Sequence, residues 1–122
     1  MISDKAKSMI AQHLVDTFTR GNVGAGGNSS SPALTNLDVP LLTGSGGTLG
    51  VSVSPVKSDE NVVDFKVSIL GTNASIVGRT IREISLHDTT SDNNMLLRIP
   101  FEAIGPFSAS EEVEFFIAVE VE

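Results

Sequence analysis

The chain has 122 residues, of which 40% are hydrophobic and 19% charged, enough for one domain with its own core. Cys, Trp and Tyr are all absent, which excludes a disulfide framework, a thiol nucleophile and a thiolate metal site. Eight Lys+Arg against fifteen Asp+Glu give a net charge of −7. That balance opposes a polyanionic partner, so no nucleic acid is expected.

The N-terminal residues Met1 to Lys5 lead into an amphipathic pattern and do not read as a secretory signal. Ile2, Ala6, Met9, Ile10, Leu14 and Phe18 recur at steps of three and four, which predicts a helix over 4–19 with one apolar stripe. Ser3 is its expected N-cap, Asp4 suits the positive end of the dipole, and Arg20-Gly21 are read as its cationic last turn and stop. The stripe must bury against this domain's sheet or against another subunit.

Residues 21–50 hold eight of the eleven glycines, with Ser29-Ser30-Ser31-Pro32 among them. The stretch reads as a long extended arm that Leu34, Leu37, Val39, Leu41 and Leu42 anchor along a surface. From 48 onward the period becomes two. Leu49, Val51 and Val53 alternate with small polar residues until Pro55 ends the run, and 58–61 make a polar turn. Val63, Phe65, Val67 and Ile69 form the next inward row, and 71–78 connect it to a strand over 80–87 that buries Ile84 and Leu86. The polar run 88–94 reads as a hairpin loop before Met95, Leu97, Ile99 and Phe101. Val113, Phe115, Ile117, Val119 and Val121 alternate with Glu112, Glu114, Phe116, Ala118, Glu120 and Glu122 in the last strand. The expected fold is mainly β. It comprises an N-terminal helix (1–20), a Gly/Ser-rich arm (21–47) and an antiparallel β-domain (48–122), a small sandwich of about five to seven strands.

The inventory of reactive groups is nearly empty. His13 reads as a surface residue on the polar flank of the helix, and His87-Asp88 as a solvated turn whose adjacent side chains point to opposite faces. The run 88–94 lacks the spaced acids and central glycine of an EF-hand. Gly24 to Gly27 follow a helix where a phosphate loop precedes one, and no Gly-x-Ser-x-Gly elbow is present. The glutamates of 111–122 read as the solvated face of a strand, and Arg79 and Arg82 with Glu83 as surface or interface pairs. No catalytic residue, cofactor or metal ligand is expected. No run approaches the ~18 apolar residues of a membrane span, so no membrane partner is expected either.

One pattern resembles a known family. Glu83, Ile84, Leu86 and Asp88, a polar loop, then Leu96, Leu97, Arg98 and Phe101 and the acidic-apolar strand 112–121 resemble small structural proteins of tailed viruses and the N-terminal regions of some tail-fibre proteins. Ser85 stands where that pattern has glycine, and His87 where it has an aromatic. The resemblance covers roughly the last 45 residues and implies a virion component made for assembly, without catalysis.

The expected function is therefore a virion structural protein. It assembles as a homo-oligomer, decorates the capsid or forms a turret, and has itself and other virion proteins as partners. The alternatives are a tail or baseplate adaptor anchoring a fibre, and a cellular β-sandwich module for carbohydrate or calcium. Met9, Ile10, Leu14 and Phe18 on the helix and Leu34, Leu37, Leu41 and Leu42 on the arm are the candidate assembly interface.

Overall fold

A computed structural model describes residues 2–25, 51–73, 76–88 and 94–122. Ser3 caps the helix α1 (Asp4–Thr17), its Oγ accepting a hydrogen bond from the Ala6 N–H at 3.2 Å. The helix stops two residues earlier than its spacing predicts, where the Phe18 N–H donates to the Leu14 carbonyl at 3.1 Å. Its stripe divides. Leu14 and Phe18 pack on the core together with Ala11 and Val15 from outside the predicted stripe, whereas Ile2, Met9 and Ile10 face outward. Lys57 donates a hydrogen bond to Ser8, tying the outer turns of the helix to the sheet.

Arg20 and Gly21 are not a helix stop. Both are buried in β1 (Arg20–Gly24), an interior strand of the sheet, so the arm does not begin at 21. The physical reason lies at Gly21. A Cβ there would meet Val53 Cγ2 at 2.9 Å and the Ser85 carbonyl at 3.3 Å, so glycine permits close packing where its sequence context suggested a loop. The rest of the predicted arm, with Leu34, Leu37, Leu41 and Leu42, lies outside the described residues.

Pro55 does not end the next strand either, because β2 (Val51–Asp59) runs through it. Among the described residues β1 pairs with β2 at Val51 and Ser52, while Pro55 lies opposite Phe65 of β3 (Val62–Leu70). Among the described residues Pro55 has a strand neighbour on one side only, and a residue without an N–H is tolerated there. The turn to β3 is held by the Glu60 N–H donating to Asp59 Oδ1 at 2.7 Å.

The remaining strands are β4 (Ile81–His87), β5 (Met95–Ile104) and β6 (Glu112–Glu120). The six strands among the described residues belong to one antiparallel sheet in the order β5-β4-β1-β2-β3-β6, and the second sheet that the expected sandwich requires is not seen among those residues. The sheet curls into a half-barrel, so its outermost strands approach each other. Phe101 of β5 and Phe115 of β6 touch with ring centroids 5.1 Å apart.

The concave side carries Val63, Phe65, Val67 and Ile69 of β3, each wholly buried, with Ile84 and Leu86 of β4. β6 lines up without a slip against β3, from Val62 opposite Glu120 to Leu70 opposite Glu112. Helix α1 packs on β2 and β3 and covers that part of the core.

After β3 the chain turns at Gly71, whose N–H donates to the Glu111 carbonyl at 2.8 Å. A Cβ at Gly71 would stand 2.0 Å from the Ser108 carbonyl oxygen. We expect Gly71→Ala to cost about 3 kcal/mol, because backbone must move to make room. Gly78, at φ +74° with nothing within 4 Å of a built Cβ, supplies the comparison. Gly78→Ala should cost only about 1 kcal/mol of backbone strain. Urea unfolding of both variants checks the ranking.

Candidate functional site

Alternation along β4 sends Ile84 and Leu86 to the concave side and Glu83, Ser85 and His87 to the other. The second set would ordinarily meet water, yet Glu83, Ser85 and His87 are each 0% exposed. β1 lies on one side of them and β5 on the other. Arg20 stands opposite His87, while Asn22 and Arg98 stand opposite Ser85 from the two flanking strands. Directly opposed residues share a face, so Arg20, Asn22, Glu83, Ser85, His87 and Arg98 form one polar ladder across three strands. Arg20 and Asn22 are buried as well, and Arg98 is half-buried.

Within the ladder, Ser85 Oγ and His87 Nε2 share a hydrogen bond at 2.7 Å, its donor set by the imidazole tautomer. The Val23 N–H donates to Asn22 Oδ1 at 2.8 Å. Burial, and secondarily the positive charge of Arg20, lower the His87 pKa from 6.5 to about 4. The ring is therefore neutral at pH 7, with one nitrogen able to accept a hydrogen bond.

A serine hydroxyl bonded to a neutral imidazole is the pairing used in nucleophilic catalysis. Here both side chains are wholly buried. In this arrangement the pair knits the polar side of β4 together.

These positions correct the reading of His87-Asp88 as a solvated turn and of Glu83 as a surface partner for Arg79 and Arg82. His87 and Glu83 are interior, whereas Arg79 and Arg82 are exposed. The cause is the third dimension. β4 has a strand on each side and both of its faces covered, which a two-residue period does not reveal. The one signal in the sequence is the polar row of Glu83, Ser85 and His87 alternating with Ile84 and Leu86.

No protein-family model matches the chain, and no curated protein or solved structure does.

The other candidates are superficial. His13 is exposed, with Thr17 Oγ1 3.3 Å from its Nδ1. Asp88 and Asn94 close the base of the polar loop, the Asp88 N–H donating to the Asn94 carbonyl at 2.9 Å. Residues 89–93 lie outside the described set. Among the described residues no group of three or more His, Asp or Glu is placed to hold a metal ion. No described helix is long and apolar enough to cross a membrane. A shallow polar cleft lined by Asp4, Lys7, Asp59, Glu60 and Asn61 lies where the start of α1 meets the β2–β3 turn.

The residues proposed for assembly separate in the same way. Leu14 and Phe18 are used in the chain's own core. Met9, 66% exposed, and Ile10, 42% exposed, remain available at the surface.

Proposed function

We propose that the chain is a structural protein of a tailed-virus particle, assembling as a homo-oligomer on the capsid surface as a decoration or turret. The observation that carries this reading is the placement of the residues behind the family resemblance. Glu83, Ile84 and Leu86 lie in β4, and Leu96, Leu97, Arg98 and Phe101 in β5. The two strands pair directly, with Leu86 opposite Leu97 and Ser85 opposite Arg98. The terminal acidic-apolar stretch is β6, which meets β5 again through Phe115 and Phe101. The residues of the pattern thus lie on two paired strands and on the strand that meets them through Phe115.

The exposed helix flank of Ile2, Met9 and Ile10 supplies apolar surface suited to contacts between copies. The finer part of the reading is the Gly/Ser-rich segment after β1. It acts as an arm laid on a neighbour, with Leu34, Leu37, Leu41 and Leu42 as anchors whose burial offsets the cost of ordering it.

Light scattering on the isolated chain should show an oligomer. A stable monomer that binds a sugar or calcium at micromolar affinity would overturn the assignment in favour of a binding module. Replacing residues 26–47 with a short Gly-Ser linker should abolish incorporation into particles while the β-sheet circular dichroism persists. Incorporation without the arm would remove the arm from the mechanism. Labelled chain found on detached tails, and not on heads, would transfer the role to a tail adaptor.

A further inference from the structure

β6 is an edge strand, and among the described residues β3 is its only strand neighbour. Edge strands usually carry a bulge, a proline or an inward charge that blocks further pairing. β5, at the other edge, shows two of these, with register shifts in its pairing to β4 and Pro100 in its middle. β6 has neither. Its nine residues pair with β3 in unbroken register, and its sequence contains no proline.

What β6 presents instead is charge of one sign. Glu112, Glu114 and Glu120 project on the convex side, and of these Glu114 meets Lys66 at 3.3 Å. Between them stand Ala118 and Phe116, the latter 72% exposed. On the concave side Val113, Phe115, Ile117 and Val119 are only half-buried, whereas Ile69, Val67, Phe65 and Val63 opposite them are 0% exposed. Phe115 of this row meets Phe101 of β5, and Val113, Ile117 and Val119 retain apolar surface that one more strand would cover.

The charges also select the occupant. In the fully overlapping antiparallel pairing of two copies of β6, centred on Phe116, Glu112 would face Glu120 at both ends. A parallel pairing in register would set every glutamate against its own copy. Both oppose like charges directly, which is destabilising. A strand bearing cations at those positions has the opposite sign of interaction.

We propose that β6 is the acceptor edge for an extended segment of a different chain, with Lys or Arg at alternate positions and apolar residues between them. Backbone hydrogen bonds to the edge give affinity. The cations set register against Glu112, Glu114 and Glu120, and the apolar residues cover the inner row. The acceptor edge stands on the geometry alone, and only the source of the segment, another particle protein, rests on the assembly reading above.

The test uses the full chain and two labelled peptides of nine residues, one alternating Lys with Val and the other Glu with Val. The Lys-Val peptide should bind at least about tenfold tighter, weaken as salt rises, and protect amides of residues 112–120 from exchange. In the triple variant Glu112→Lys, Glu114→Lys, Glu120→Lys the preference should reverse toward the Glu-Val peptide. Equal affinity of the two peptides, failure of both to bind, an unreversed preference or protection outside 112–120 would each overturn the proposal. Because no particle is involved, failure here leaves the structural-protein assignment in place. Failure of particle incorporation likewise leaves the acceptor edge in place.

Discussion

Acidification from pH 7 to pH 4 should cost the fold about 2 kcal/mol through His87 alone. The unfolded imidazole takes up its proton near 6.5, while the folded one resists until about 4. Stability from this group is therefore complete above pH 6.5, falls as pH drops toward 4, and changes no further below that. The full shift corresponds to about 3 kcal/mol, and relaxation of the surroundings around the charged ring reduces it. Burial of the ring sets the direction, and the positive charge of Arg20 adds to it. Arg20 faces it from β1, Arg98 lies one row away on β5, and Glu83 lies beyond Ser85, two positions along the same face of β4. The net surroundings do not reverse the desolvation penalty. His87→Gln keeps a hydrogen-bonding group beside Ser85 and removes the titration. Urea unfolding at pH 7.5, 5.5 and 4 should show the wild type losing about 2 kcal/mol more than this variant. Parallel losses in the two proteins would mean that protonation of the ladder does not limit acid stability.

Phe65→Ala should be the most damaging single truncation in the concave core, at about 4 kcal/mol. Phe65 is 0% exposed, sits opposite Pro55 on one side and Ile117 on the other, and so contacts three strands' worth of side chains. Its removal leaves a cavity that flanking strands cannot close without breaking their register. Phe116 is the control. One residue along from Phe115, it points to the convex side and is 72% exposed, so Phe116→Ala should change stability by less than about 0.5 kcal/mol. Thermal and urea unfolding of the pair measure the contrast. Similar costs for the two would mean that the assignment of faces in β3 and β6 is wrong.

The two phenylalanines show how far patterning reaches. Phe65 stands in a row of Val63, Val67 and Ile69 separated by Asp64, Lys66 and Ser68, and alternation alone assigns it to the core. Phe116 breaks the polar row of β6, and the same alternation correctly places it outside. The N-cap at Ser3 was readable for a similar reason, since a side chain bonding three residues ahead is a local event. The stripe of α1 was only half readable. Its apolar residues span more of the helix circumference than the sheet can cover, so Leu14 and Phe18 are packed while Met9 and Ile10 are not.

By itself the sequence determined the helix, the two-residue period of the later strands, the absence of thiol chemistry and the acidic outer row of β6. Each depends on residue type or on neighbours within a few positions. Only the tertiary structure decided that Arg20 to Gly24 form an interior strand, that Pro55 lies within β2, and that Glu83, Ser85 and His87 are interior. The physical reason is common to the three. A glycine is admitted to a strand by what approaches it, a proline by which side has lost its partner, and a polar row is buried by whatever lies across its face. All three conditions come from residues distant in the chain.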